Sequence, residues 1–426
     1  MDNNTNMSEN GTRILSPKQL KEELDKFVTG QEEAKKVLCV AMYRHLARSR
    51  RREQGFVCRR SPNVLIYGPS GCGKTEIARV LARIAGLPFY IVDSTQLVPT
   101  GAVGGKSPEK ILMEFVKAVG VEYPKEIEKG VIFLDEIDKL VPRNGDRQHA
   151  NWIYETQDTL LKFLEGNEYC LNLNEIDNEF VIDTSGILFI AAGAFVGLDK
   201  IVKERIDRSR RSSVGFITSD NLPAVSSLPE PRVEDFVEFG LMPELMGRLP
   251  HISHVEPLTV DDMTNIVLNS KNSPLAQIND DLAVQQNLLT IAPEAARIIA
   301  ERALEDGIGA RGLSAQLEKE LEGLLYEVLG SVEKTEFRIT ADAASKKLKI
   351  TQQPLSDEGR GQLRNDEERR KAAFCKRPQK NKDDSFEMLL PGGIMCAEAA
   401  YQKALQEQFE MMFQGGATED SEVEFE

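Results

Sequence analysis

Residues Gly68-Pro69-Ser70-Gly71-Cys72-Gly73-Lys74-Thr75 constrain the fold more than any other stretch of this chain. They fit the phosphate-cradling pattern G-x-x-x-x-G-K-[ST], which carries meaning only between a strand and a helix. Both flanks are present. Asn63 to Tyr67 is an apolar, β-prone run suited to a buried parallel strand. Glu76 to Ala85 places Ile77, Val80, Leu81 and Ile84 on one side at helical spacing. Glycines let the backbone N–H groups turn toward phosphate oxygens, and the new helix adds the positive end of its dipole. Lys74 is expected to reach the β- and γ-phosphates of ATP, and Thr75 to hold Mg²⁺ through its hydroxyl. Gly68 through Glu76 form the core of the expected nucleotide-binding set.

A second motif, Val131-Ile132-Phe133-Leu134-Asp135-Glu136, reads as a buried strand ending in two carboxylates. In an open α/β sheet that end faces the ligand crevice. Asp135 is expected in the Mg²⁺ shell, and Glu136 is expected to orient and polarise the attacking water. Taken alone, an acidic start to a following helix would explain both acids. The phosphate loop upstream decides for the catalytic reading.

Further strands are expected at Pro88 to Val92 and Ile187 to Ala194. Helices are expected from Ser16-Pro17, from Glu32 to about Arg52, from Pro108 to Val119 and from Trp152 to Leu164. Strands alternating with helices imply a parallel sheet covered on both faces. Residues 142–150 read as loop, 166–179 as acidic and irregular, and 205–232 as an exposed loop rich in Arg, Ser and Pro. Beyond Pro257, helices are expected near 259–270, 293–305 and 312–329, with a strand pair near 336–339 and 347–350.

Bulk composition narrows the class. At 426 residues the chain can bury a large core and hold more than one domain. No apolar run is long enough to cross a bilayer and the first residues lack a signal-peptide core, so a cytoplasmic location and no membrane partner are expected. A net charge of −15 argues against nucleic acid as a partner. The six cysteines form no C-x-x-C pair, so neither zinc nor a disulfide framework is indicated. His45 reads as a packed or surface histidine rather than a ligand. The arginines at 48, 50, 51, 52, 59 and 60 read as a solvated face or a subunit contact.

The order of motifs resembles that of the ClpX-like AAA+ ATPases, the protease-associated unfoldases of the Clp/Hsp100 family, over about residues 16–352. It is similar, more distantly, to the protease-associated ATPase HslU. The resemblance is carried by Leu24 to Gln31, Gly68 to Thr75, Val131 to Lys139, Ile187 to Lys200, Phe239 to Pro250 and Gly309 to Leu313. It implies an α/β AAA+ fold with a smaller, mostly helical lid domain. The implied division is a large nucleotide-binding domain (16–256) and a lid (257–353); composition adds a disordered N-terminus (1–15) and a charged extension (354–426) with an amphipathic helix near 397–413, which has no counterpart in the family pattern. Val28 and Thr29 are implied against the adenine, and Arg311 as a sensor that touches ATP in its own subunit. Arg248 is implied as the arginine finger for a neighbouring subunit, hence a homohexamer. Without the family, Arg248 reads as a helix-end cation.

The sequence departs from the family in several places. No four-cysteine zinc domain precedes the ATPase motifs. The axial pore loop, Gly-aromatic-Val-Gly in the family, is here Gly101-Ala102-Val103-Gly104, and a methyl group offers a translocating chain far less contact than a ring. Weak grip, grip from other residues and a task other than threading all stay open. Where the family carries a basic loop, 168–179 carries Glu168, Glu175, Asp177 and Glu179, which suggests basic substrates. Val214-Gly215-Phe216 matches the aliphatic-Gly-Phe tripeptide that docks the peptidase. The expected function is ATP-dependent unfolding of protein substrates, delivered to a ClpP-type peptidase. The alternative is a remodelling or regulatory ring acting on protein complexes without one.

Overall fold

The computed structural model describes residues 14–58, 60–99, 105–120, 124–142, 147–172, 179–213, 229–283, 286–328, 335–342, 347–357 and 359–365. Helix α1 (Pro17–Asp25) starts with a complete capping box between Ser16 and Gln19 and buries Leu20 and Leu24. Helix α2 (Glu32–Glu53) follows a tight turn. Then come β1 (Val64–Tyr67), α3 (Lys74–Ala85), β2 (Phe89–Asp93), α4 (Pro108–Val119), β3 (Val131–Asp135), α5 (Arg147–Glu165), β4 (Glu168–Asn172), β5 (Glu179–Asp183) and β6 (Leu188–Gly193). Next are α6 (Leu198–Ser213), α7 (Val233–Phe239), α8 (Pro243–Gly247) and β7 (His251–His254).

Strands β2, β3, β6, β1 and β7, in that spatial order, form an all-parallel sheet. Alternate residues feed two cores. Val64, Ile66, Val131 and Phe133 face α1, α2 and α3; Leu65, Ile132, Leu134 and Phe189 face α4, α5, α7 and α8. Strand β6 lies between β1 and β3, so the carboxyl ends of all three open on one crevice.

The remainder is smaller and mostly helical: α9 (Val260–Asn269), α10 (Pro274–Leu282), β8 (Leu288–Ile291), α11 (Pro293–Glu305), α12 (Arg311–Val328), β9 (Thr335–Ala341) and β10 (Leu348–Pro354). Its three strands run in the order β10, β9, β8. Its core, including Met263, Ile299, Leu317 and Phe337, is continuous with the α1–α3 side of the large sheet through Val255 and Leu258. Among the described residues no helix is long and apolar enough to cross a membrane.

Three expectations need correction. Helix α5 begins at Arg147, inside the stretch read as loop, because nothing after Gly145 breaks a helix. Residues 168–172 and 179–183 are an antiparallel hairpin rather than irregular chain. Leu171 and Ile182 are buried while Cys170 and Val181 are exposed, an alternation that the acids obscured. Helix α6 occupies part of the expected 205–232 loop, held by ion pairs from Arg205 to buried Asp235 and from Arg208 to Glu238. Segment 236–249 forms two helices, α7 and α8, parted at Gly240, where φ is +128° and a Cβ would strike Val141. In addition β7, α10 and β8 were not anticipated, and residues 359–365, inside the expected linker, are helical.

Candidate active site

The phosphate loop is shaped by three glycines at positive φ: 138° at Gly68, 75° at Gly71 and 88° at Gly73. A Cβ at Gly68 would lie 2.3 Å from the Val255 carbonyl, and one at Gly71 2.2 Å from the Ile308 carbonyl. Nothing lies within 4 Å of a Cβ at Gly73, which caps α3 without a side-chain acceptor. The first N–H groups of α3 are therefore free for an anion. Lys74 Nζ donates to the carbonyls of Gly68 at 2.7 Å and Pro69 at 2.8 Å, which leaves one of its three hydrogens.

Thr75 Oγ1 donates to Asp135 Oδ2 at 3.2 Å, joining the start of α3 to the end of β3. Asp135 Oδ1 accepts the Glu136 amide at 3.0 Å. Glu136 is exposed and left-handed, with φ 56° and ψ 37°, a conformation that turns it out of the strand direction. One hydroxyl beside one carboxylate fits Mg²⁺, which binds through few protein oxygens together with phosphates and water. No cluster of three or more His, Cys, Asp or Glu side chains that could cage a metal occurs among the described residues.

Asp138, one turn on, accepts the amides of Ala194 and Phe195 at 3.2 Å each. It fixes the exit of β6 beside the carboxylates. The sequence reading missed this role, although Asp138 stands two residues after Glu136.

The Val28–Thr29 turn is clamped from three sides. Buried Lys35 donates to the Val28 carbonyl at 2.7 Å and pairs with Asp25 at 2.6 Å. The Gln31 side chain exchanges two 2.8 Å hydrogen bonds with the backbone of Glu256. Ser270 Oγ donates to the Phe27 carbonyl at 2.6 Å. The last two partners belong to the crossing into the smaller part and to the end of α9. Gly309, Ala310 and Arg311 lead into α12, and the Ala310 amide donates to the Gly71 carbonyl at 3.0 Å. This contact brings Arg311 to the phosphate loop. Glu76 Oε1 accepts Asn272 Nδ2 at 2.9 Å, a second tie across the same cleft.

Arg248 is elsewhere. Its carbonyl accepts Asn63 Nδ2 at 3.2 Å, at the amino end of β1. Lys74 follows the carboxyl end. The four residues of β1 separate the two by about 13 Å of strand alone. The Arg248 guanidinium is held by Glu165, the last residue of α5.

Comparison with known proteins bears on this arrangement. The model of the ATPase family associated with various cellular activities (AAA) matches residues 64–214. That of the C-terminal, D2-small domain of ClpB protein matches residues 258–338. The chain is 36% identical over 359 residues to "ATP-dependent Clp protease ATP-binding subunit ClpX" of Borrelia duttonii (strain Ly), covering 82% of both chains. It is 36% identical over 329 residues to the protein of that name from Treponema denticola, covering 74% of this chain and 77% of the relative. For the Azotobacter vinelandii protein the figures are 35% over 332 residues, 74% and 75%. The chain belongs to the ClpX family of AAA+ ATPases.

A ClpX-family chain binds and hydrolyses ATP, and the electrostatics of the cleft suit that task. Burial pushes the Lys74 ammonium below its ordinary value; the carboxylates of Asp135 and Asp138 draw it back up, and Arg311 pushes it down. A cation that is costly to bury gains most when phosphate arrives. The expected pore loop, Gly101 to Gly104, and the expected docking tripeptide, Val214 to Phe216, lie outside the described residues, as does 366–426. The clamps Lys35–Val28, Gln31–Glu256 and Glu76–Asn272 were missed by the sequence reading. Only Lys35, a lysine on the apolar side of α2, offered any signal.

Proposed function

We propose that this ClpX-family ATPase works as a homohexameric ring in the cytoplasm. In this reading it unfolds protein substrates at the expense of ATP and feeds them to a ClpP-type peptidase. Lys74 and the free amides of α3 bind the phosphates. Val28 and Thr29 flank the adenine, and Arg311 reports the bound nucleotide to α12. Thr75 and Asp135 hold Mg²⁺, which when bound offsets charge on the β- and γ-phosphates. Glu136 orients the attacking water and accepts its proton as the in-line displacement proceeds. Residues 257–353 act as a lid on the domain formed by 16–256, and hydrolysis moves one against the other.

The observation that carries the ring is the distance between Arg248 and Lys74. The two stand at opposite ends of β1, so a finger at Arg248 serves a site on another copy. Mixing Glu136→Gln subunits with Arg248→Ala subunits tests this. Each is expected to be nearly inactive alone, and mixtures are expected to regain ATP turnover. Silence in every mixture ends the reading.

The relatives' shared name, an ATP-binding subunit of a Clp protease, supports the peptidase partnership, and Val214-Gly215-Phe216 supplies a docking sequence. Ala102 in place of an aromatic favours the second reading, a remodelling ring without a peptidase. Pull-down with the Glu136→Gln protein separates them. Capture of a peptidase, lost on Phe216→Ala, supports the first; substrates without any peptidase support the second.

A further inference from the structure

Glu165 closes α5 with the wrong charge. The carboxyl end of a helix favours cations, so an acid in this position works against the helix dipole. Its partner explains it. Glu165 Oε1 accepts hydrogen bonds from both Nε and Nη2 of Arg248, at 3.1 and 2.5 Å. Among the described residues Nη1 of Arg248 takes no partner, so one edge of the guanidinium is held while the other remains for an acceptor.

Both residues stand on rigid ground. Behind Glu165, Gly166 is left-handed at φ 82°, and a Cβ there would lie 2.6 Å from Ser185. Asn167 and Thr184 close the same turn by a 3.0 Å hydrogen bond. Behind Arg248, Asn63 holds its carbonyl and also accepts the Phe189 amide of β6 at 3.2 Å. Two turns before Glu165, buried Gln157 donates to the carbonyls of Leu140 and Gly240 and accepts the Met242 amide at 2.8 Å. Helix α5 therefore grips the α8 segment at both ends: Gln157 at 240–242 and Glu165 at 248.

We propose that Glu165 is a positioning residue for ATP hydrolysis, fixing the Arg248 guanidinium with its Nη1 edge turned to the γ-phosphate of the neighbouring subunit. This rests on the reading of Arg248 as a finger acting in trans. A long, half-exposed arginine otherwise divides its time among many rotamers, and each is lost when it meets the transition state. Glu165 removes that loss in advance. Its carboxylate also opposes the phosphate charge. At a solvated interface that repulsion is screened, whereas misorientation of a finger acts on the rate directly.

The test places the change only on the subunit that donates the finger. Glu136→Gln subunits, which donate Arg248, are mixed with Arg248→Ala subunits, which hydrolyse. Adding Glu165→Ala to the donor is expected to lower the regained kcat by about tenfold or more with KM for ATP nearly unchanged. Glu165→Gln in the donor keeps the oxygen acceptor and is expected to restore most of the rate. Thermal melting and particle size of the donors are expected to match the parent, since a solvated ion pair contributes little to stability. An undiminished rate with Glu165→Ala overturns the proposal, as does a faster rate with either variant. No regained activity in the parent mixture overturns the trans reading of Arg248 and the proposal with it.

Discussion

The Ala310 amide donates to the Gly71 carbonyl at 3.0 Å, so the entrance to α12 rests directly on the phosphate loop. The approach is possible because Gly309 has φ +63° and no side chain; a Cβ there would lie 2.8 Å from the Gly71 oxygen. Gly309→Ala combines a left-handed penalty of about 1–2 kcal/mol with this crowding. The contact is expected to part, raising KM for ATP and lowering the melting temperature. Titration of ATP turnover, with melting in parallel, checks it.

Glu136→Gln removes the group proposed to take the water proton but leaves Thr75, Asp135 and the loop amides in place. ATP affinity is expected within about twofold of the parent, and turnover is expected to fall by about 10²–10⁴-fold. Equilibrium binding of a fluorescent ATP analogue beside steady-state hydrolysis reads both. Brisk turnover would remove Glu136 from its assigned role.

Lys35 is 1% exposed and holds the Val28 carbonyl, while its partner Asp25 keeps some contact with water. Lys35→Met frees the carbonyl but leaves Asp25 paired with Lys21 at 2.8 Å and open to water, so the cost is expected nearer 1–3 kcal/mol than the roughly 3–5 kcal/mol of breaking a fully buried pair. The Val28–Thr29 turn is expected to loosen, and nucleotide affinity to fall more than kcat. Chemical denaturation and a KM-against-kcat comparison report the two effects.

His45, expected to be packed or exposed rather than a ligand, is packed. It bridges Ser61 Oγ at 2.9 Å and the Lys129 carbonyl at 2.7 Å. Burial pushes its pKa down to about 4, with Arg52 and Arg48 acting in the same direction. The unfolded chain, near 6.5, takes up a proton first as pH falls. Stability from the neutral imidazole is therefore intact above pH 6.5 and is lost between 6.5 and about 4, on the order of 3 kcal/mol in all. In melts across that range, His45→Gln is expected to show a shallower decline than the parent.

The hairpin of β4 and β5 begins at Glu168 and resumes at Glu179, with Glu175 and Asp177 between them in sequence. If the chain handles basic substrates, replacing these four acids with lysine is expected to shift preference toward acidic peptides. Competition between peptides of opposite charge measures it; unchanged preference would discard the charge argument.

Much of the framework around the phosphate loop was legible in the sequence. The loop Gly68 to Thr75, the strand ending at Asp135 and the helix Pro108–Val119 each depend on neighbours in sequence: glycines at a turn, apolar residues at a fixed period, a serine before a proline. Such features are decided within one turn or one strand. The acidic hairpin and α6 were hidden because their stability lies in partners elsewhere in the chain: Leu171 and Ile182 join the core shared with α4 and α5, and Arg205 pairs with Asp235.

The sequence by itself determined the glycine-shaped loop between β1 and α3, since backbone conformation there is dictated by the residues on the spot. It could not say what holds the rest of the site in place. Gln31 meets Glu256, Glu76 meets Asn272 and Arg248 meets Glu165 across gaps of 225, 196 and 83 residues. Pairings of that span have no local period to announce them. They exist because two hydrophobic faces of one sheet and a second, smaller core fold these segments side by side.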